Sequence, residues 1–345
     1  MSFKAVVERI RKDVEAYQSE TRSPIYLALN ENPYPFPEEL IRQCFESIDP
    51  SKVNLYVDSP SKEFLKELVD YLSTDSWRAR EEQISVGNGA DEIIYVLLLM
   101  FKDLSIYVFP PTYSCYEIFA NALGVKVNKV PLRGERIDTK TLKGLLNEDC
   151  VVFLPNPNNP TGHLFEEEEI FWLLKTKALL ILDEAYFEFS GKTFAPLIEQ
   201  FQNLAILRTF SKAFSLASQR IGYIVANPSL IDAYNRVRLP YNVSYLGQTF
   251  ATIALRNKRI FQERVRKIIE ERERLKNALR SMGLKVNDSK ANFVFVYLER
   301  ERTERVYRAL LKRGITVRKT EFGLRMAVGQ PKQNDLLIET LEGSL

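Results

Sequence analysis

The chain predicts an α/β fold, with a large domain whose mostly parallel sheet is flanked by helices and a smaller α+β domain beside it. Three observations across its 345 residues lead there. Short segments that are apolar at every position alternate with helical segments, the pattern of strands covered on both faces. Most of these segments are halted by Gly, Pro or an acidic pair, with polar residues directly behind the stop. From about Phe250 the character changes to long charged helices with a few apolar segments between them.

In chain order, Gln83-Ile84-Ser85-Val86 reads as a strand, Gly87-Asn88-Gly89 as a turn, and Ala90 onward through Ile93, Ile94 and Val96 as an apolar helix. Ser105 to Phe109 is a strand stopped by Pro110-Pro111, because proline has no N–H for the ladder. Cys150 to Leu154 stops at Pro155, and Ala178 to Leu182 stops at Asp183-Glu184. Leu204 to Leu207 leads into Thr209-Phe210-Ser211-Lys212. Further on, a helix over roughly Phe261 to Met282 sets Ile268, Ile269, Leu275 and Leu279 among many Arg and Glu. Asn292 to Tyr297 and Gly323 to Val328 read as strands with another charged helix between them. Both long charged helices are expected to be solvated faces of the smaller domain.

Composition removes several classes of function. A net charge of +3, with no Lys/Arg block apart from balancing acids, argues against a nucleic-acid partner. Met1 to Ile10 carries charge throughout, so no apolar signal segment is expected. Nowhere do about 18 apolar residues run together, so no membrane span is expected. Cys44, Cys115 and Cys150 lack a CxxC spacing and fit reduced thiols. His163 is the single histidine, which excludes a multi-histidine metal site. Following the Pro160-Thr161-Gly162 turn, it is expected to have a surface or capping role. The protein should be soluble and cytoplasmic, with its chemistry drawn from a cofactor or from carboxylates.

Thr209 to Arg220 is the most informative stretch. It sets Lys212 among small and apolar residues, with Ser211 before it and Arg220 behind. A lysine attacks a carbonyl only when unprotonated, and partial burial beside a cation lowers its pKa. Ser211 and Arg220 supply donors that suit phosphate oxygens. A reactive lysine beside a phosphate cradle can hold pyridoxal phosphate as a Schiff base; a surface lysine in a Ser-rich loop fits the stretch about as well. The strand ends weigh on the choice. Gly87 to Asp91, Pro110 to Tyr113, Pro155 to Gly162, Asp183 to Tyr186 and Thr209 to Lys212 each follow a strand directly. In an open parallel sheet, ligands bind beyond the carboxyl ends of the strands. Turns, caps and core tyrosines explain any one of these loops, but hardly all of them together.

With these residues in view, the chain resembles the fold-type I pyridoxal-phosphate enzymes, specifically the histidinol-phosphate aminotransferase branch of the class II aminotransferases. The resemblance runs from Tyr17-Gln18-Ser19 and Leu29-Asn30-Glu31-Asn32-Pro33 to Leu324-Arg325-Met326, with Asn158-Asn159-Pro160-Thr161-Gly162 as an independent match. It implies that Lys212 is the Schiff-base lysine and later the base that moves the substrate proton. Asp183 resembles the carboxylate paired with the pyridine nitrogen, and Tyr186 and Asn159 the donors to the ring's phenolate oxygen. Tyr113 is similar to the aromatic that stacks on the ring. Backbone N–H groups of Ala90 and Asp91, at a helix start, are expected at the phosphate together with Thr209, Ser211 and Arg220. Tyr56 resembles a tyrosine that reaches the phosphate from a neighbouring subunit, which implies a homodimer with shared active sites.

For the substrate, the resemblance implies that Arg325 binds a carboxylate or phosphate, with Arg318 and Tyr17 as further phosphate ligands and Asn30 and Asn32 at the entrance, where turn formation before Pro33 explains the two asparagines nearly as well. The implied reaction interconverts L-histidinol phosphate plus 2-oxoglutarate with imidazole-acetol phosphate plus L-glutamate. Threonine-phosphate decarboxylase and an aromatic amino-acid aminotransferase are the alternatives, since the same motifs do not report which substrate bond breaks. A ligand-sensing domain of a transcription regulator is a third, for which the arm before Tyr26 is expected to leave no room. The organisation expected is an N-terminal arm over residues 1–29 packing on the small domain or the dimer partner, a cofactor-binding domain over 30–245 and a small domain over 246–345.

Overall fold

The computed structural model describes residues 17–344, so residues 1–16 of the expected arm, with the charged N-terminal segment, lie outside it. Two sheets organise the chain. Strand β1 (Ile25–Leu27) belongs to the smaller one. The next strands, β2 (Ile84–Asn88), β3 (Ser105–Val108), β4 (Val127–Lys129), β5 (Cys150–Pro155), β6 (Leu179–Asp183), β7 (Leu204–Thr209) and β8 (Ile221–Ala226), form a seven-stranded sheet in the order β2-β8-β7-β6-β5-β3-β4. From β7 to β4 every pairing is parallel, whereas β8 runs antiparallel to both β2 and β7. This is the mostly parallel sheet expected.

Side-chain alternation fills both faces. Val151, Phe153, Ile181, Ala205 and Leu207 enter one core, under the helices Gly89–Met100 and Cys115–Leu123. Val152, Leu154, Leu180, Leu182, Leu204 and Ile206 enter the other. A strand with apolar residues at both parities can only sit inside such a sandwich. The parallel strands β2, β3, β5, β6 and β7 therefore end at one edge, and β8 begins there, with Thr209 opposite Gly222. Arg220, just before β8, is delivered to that edge by the strand that runs the other way.

The smaller sheet adds β9 (Lys285–Val286), β10 (Phe293–Tyr297), β11 (Ile315–Thr320) and β12 (Gly323–Ala327), in the order β1-β11-β12-β10-β9. Strand β1 pairs parallel with β11, so the described part of the arm is stitched into this sheet. The long helix is Lys258–Ser281 and starts three residues earlier than expected. Its Phe261, Val265 and Ile268 pack in the core of the larger sheet, and its Leu275 and Leu279 in that of the smaller. The expectation that both charged helices are solvated faces needs correction here. Arg272 is 4% exposed and Lys276 1% exposed. Arg272 donates to the carbonyls of Ala291 and Phe189 at 3.0 and 3.3 Å, and Lys276 bonds Glu273 and Asp288. Buried charge is tolerable only when paired in this way. The helix Arg300–Lys312 does behave as expected, burying Thr303, Val306 and Leu310 on one face.

No helix among the described residues is long and apolar enough to cross a membrane, and no His, Cys, Asp or Glu group there is arranged to hold a metal ion. The three cysteines are free and buried.

Candidate active site

At the carboxyl edge of the larger sheet, facing β11 and β12, lies a cavity of about 910 Å³. Of the residues expected at cofactor or substrate, all line it except Tyr56 and Asn32: Ala90, Asp91, Tyr113, Asn159, Asp183, Tyr186, Thr209, Ser211, Lys212, Arg220 and Arg325 on the inner wall, with Tyr17, Asn30 and Arg318 toward the mouth. They come from the strand ends, from the start of β8, from β11 and β12, and from the segments before and after β1.

Lys212 is three residues past the end of β7 and partly buried. Its Nζ donates to the carbonyl of Leu29 at 2.9 Å. Asn32 ties the loop down by donating to the carbonyls of Lys212 and Ala213, both at 3.0 Å. Burial, and then the positive charge of Arg325, bring the amine from its ordinary 10.5 to about 8. At pH 7 about a tenth of the amine is therefore unprotonated and nucleophilic, against well under a thousandth for an ordinary lysine.

Asp183 ends β6 and is 5% exposed. It shares the parity of Ile181, so its carboxylate turns toward the helix Cys115–Leu123, where Tyr116 donates to Oδ2 at 2.8 Å. The N–H of Ala185 donates to Oδ1 at 3.1 Å. Burial raises Asp183 to about 6, with the Tyr116 hydroxyl as the main counterweight. Glu184, of opposite parity, faces away and pairs with buried Arg208 at 2.9 Å. That pair locks the turn from behind.

The hydroxyl of Tyr186 accepts from Asn30 Nδ2 at 3.0 Å and from Asn159 Nδ2 at 3.3 Å. Burial pushes this phenol up to about 12. The Oδ1 of Asn159 accepts from Arg325 at 2.6 Å, and Arg325 also donates to the carbonyl of Ala28 at 2.5 Å. Asn30 has φ +54°, a left-handed conformation that Asn adopts more readily than most residues. It is buried rather than at the entrance, with its carbonyl held by Asn292 at 2.9 Å. Two polar atoms of this cluster, Asn30 Oδ1 and Arg325 Nε, are buried without a hydrogen-bond partner among the described residues.

The helix Gly89–Met100 starts directly from β2, which leaves its first backbone N–H groups without partners inside the helix. Thr209 donates to Ser211 Oγ at 3.0 Å, and Arg220 reaches Asp91 at 2.9 Å. Glycine keeps this corner open. A Cβ on Gly89, where φ is +80°, would lie 2.5 Å from the Arg220 guanidinium, and one on Gly222 would lie 2.4 Å from the Ala90 nitrogen. The Asp91 side chain takes part as well, accepting from Tyr113 at 3.0 Å. The sequence had pointed only to its backbone.

At the mouth, the Arg318 guanidinium lies 5.6 Å from the Tyr17 ring centre and donates to the carbonyl of Gln18 at 3.0 Å. Tyr56 is 84% exposed and stacks on Tyr241 with centroids 4.9 Å apart, away from this cavity. His163 corrects another expectation. It is 4% exposed rather than at the surface, its Nδ1 is 2.8 Å from Thr161 Oγ1, and burial lowers it to about 4. Asn32, expected at the entrance, instead holds the Lys212 loop. Tyr116 and Asn292 were not singled out from the sequence. Only Tyr116 had a usable signal there, three residues after Tyr113 at a helix start.

Comparison with known proteins adds to the geometry. Residues 22–341 match the model of the family "Aminotransferase class I and II". A histidinol-phosphate aminotransferase of Thermotoga sp. (strain RQ2) is 50% identical over 97% of this chain and 98% of the relative. The solved histidinol-phosphate aminotransferase of Clostridium acetobutylicum superposes with a TM-score of 0.82 at 28% identity, covering 92% of this chain and 98% of that one. The Sinorhizobium meliloti histidinol-phosphate aminotransferase, solved in complex with pyridoxal-5'-phosphate, has a TM-score of 0.82 at 24% identity over 94% and 91%, a likeness of fold.

Proposed function

Because the chain belongs to the class I and II aminotransferase family, we propose that it transfers the amino group of L-histidinol phosphate to 2-oxoglutarate, with pyridoxal 5'-phosphate held by Lys212. The observation that carries this reading is the Lys212 amine, lowered to about 8, in one cavity with Asp183, Tyr186, Asn159 and Arg325. The residues suit the cofactor. The glycine-lined corner at Gly89 and Gly222, open N–H groups, Thr209, Ser211 and Arg220 fit a phosphate. A buried carboxylate at the end of β6 fits a protonated ring nitrogen, and the orphaned Asn30 Oδ1 and Arg325 Nε indicate that a polar guest belongs there.

When bound, the cofactor supplies a carbonyl for amines and a ring that accepts the electrons of the broken C–H bond. The chain does the rest. Lys212, freed by the incoming amine, takes the proton from the substrate α-carbon and returns it to the cofactor carbon. Asp183, an anion above pH of about 6, keeps the ring nitrogen protonated. Tyr186 and Asn159 serve the phenolate oxygen, and Tyr113 covers the ring. Arg325, buried and lowered by that burial, meets the carboxylate of glutamate or 2-oxoglutarate, or the substrate phosphate. Arg318 and Tyr17 complete the phosphate site at the mouth.

Tyr56 fits the same reading as a contribution across a homodimer. Phe45, Val53, Leu55, Tyr56, Leu239 and Tyr241 are all exposed, an apolar load that a partner would cover. The three-part organisation, with the small domain over residues 246–345, belongs to it too. A cytoplasmic location completes it.

The test is an assay of L-histidinol phosphate, dephosphorylated histidinol and L-threonine phosphate side by side. Glutamate formed from the first, little from the second, and no carbon dioxide from the third is the expected result. Carbon dioxide release from L-threonine phosphate would replace the reading with the decarboxylase.

A further inference from the structure

We infer that Tyr116 is a positioning residue, which orients the Asp183 carboxylate for its contact with the cofactor's ring nitrogen. The inference rests on the reading of Asp183 given above. Tyr116 lies in the first turn of the helix Cys115–Leu123 and has no exposed surface. Its ring is fixed on two sides, 5.3 Å from Phe153 and 5.4 Å from Tyr113, the latter edge to face at 89°. Its hydroxyl donates to Asp183 Oδ2 at 2.8 Å, in the range of a hydrogen bond to an anion.

Asp183 needs such a partner. No cation pairs with it among the described residues; its favourable contacts are the Tyr116 hydroxyl and the Ala185 N–H, while Asp91 and Glu184 oppose its charge. A carboxylate in that position reverts to the neutral acid unless donors hold the charge. A protonated Asp183 cannot keep a proton on the ring nitrogen. The phenol is well suited to the task, because burial raises it well above its ordinary 10.0 and leaves it a donor over the working pH range. The same ring braces Tyr113, so one buried side chain supports both the group expected at the ring nitrogen and the group expected at the ring face.

A tyrosine that only fills core would affect every ligand alike, and this separates the two possibilities. Apo forms of the full-length wild type and of Tyr116→Phe are titrated with pyridoxal phosphate and with its carbocyclic analogue, in which C–H replaces the ring nitrogen. The wild type should prefer pyridoxal phosphate. In Tyr116→Phe that preference should shrink about tenfold, with affinity for the carbocycle changed less than about twofold. Added to Asp183→Asn, Tyr116→Phe should change neither affinity further, so the cycle also holds if the single variant folds poorly. An unchanged preference, or equal losses for both ligands, overturns the positioning role. A wild type that binds both ligands equally overturns the reading of Asp183, and the inference with it.

Discussion

The inner wall and the mouth of the cavity are built to different standards. On the wall, Asp183, Tyr186, Asn159 and Arg325 are each under a tenth exposed, with partners at 2.5 to 3.3 Å. At the mouth, Tyr17 is 44% exposed, and among the described residues Arg318 meets the Tyr17 ring, the Gln18 carbonyl and Glu20 at 3.8 Å. The wall is pre-organised for steps common to every substrate, while the mouth acquires its partners from whichever substrate fills it. Wall changes should therefore lower kcat, and mouth changes should raise KM.

The largest effect expected is from Lys212→Ala, with kcat down by about 10⁴-fold or more, measured in the steady state. Turnover within tenfold of wild type would dissolve the distinction. Next comes Asp183→Asn, which should lose about 10³-fold in kcat while stabilising the apo protein at pH 7. The sign follows from the raised value of about 6 against an ordinary 3.8. The protonated form's contribution to stability is present at low pH and is lost as pH rises through about 6. Asparagine carries no such charge, so apo unfolding at pH 7 should require about 2 to 3 kcal/mol more.

At the mouth, Arg318→Ala should raise KM for the phosphorylated amine about tenfold to a hundredfold and leave kcat within about threefold. A loss confined to kcat would move Arg318 onto the wall. Cofactor capture by the apo protein should quicken about tenfold between pH 7 and 8.5 and then level off, as Lys212 loses its proton near 8. Stopped-flow absorbance reads this directly, and a profile that keeps rising to pH 10 would mean that the lysine is not lowered. The smallest effect, about threefold in KM, is expected for Tyr17→Phe.

The wall was largely legible in the sequence, because parallel strands present their polar residues just past their apolar runs. Asp183 follows Leu179-Leu180-Ile181-Leu182 directly, and Lys212 follows Leu204 to Leu207 at short range. Arg220 lines the cavity as expected, but its delivery was not legible: it depends on β8 running antiparallel, and an apolar run such as Ile221 to Ala226 does not state its direction. Long-range partners were hidden in the same way. Asn292 meets Asn30, and Asn32 meets Lys212, across more than 150 residues, and no spacing encodes such contacts. Arg272 and Lys276 show the limit of charge as a guide, since a helix rich in Arg and Glu can bury some of them by pairing. His163 shows that a turn in sequence can lie inside the molecule when a distant segment packs on it, as Lys290 does by donating its N–H to the Gly162 carbonyl at 2.7 Å.

The central claim is that this cavity exchanges amino groups with L-histidinol phosphate by way of Lys212. It is tested most directly in a half-reaction, adding that amine to the cofactor-loaded enzyme without any 2-oxo acid. The account predicts that the absorbance of the carbonyl form of the cofactor gives way to that of its amine form, one equivalent per site, with return on adding 2-oxoglutarate. No change with L-histidinol phosphate, alongside full conversion by another amine, would contradict it.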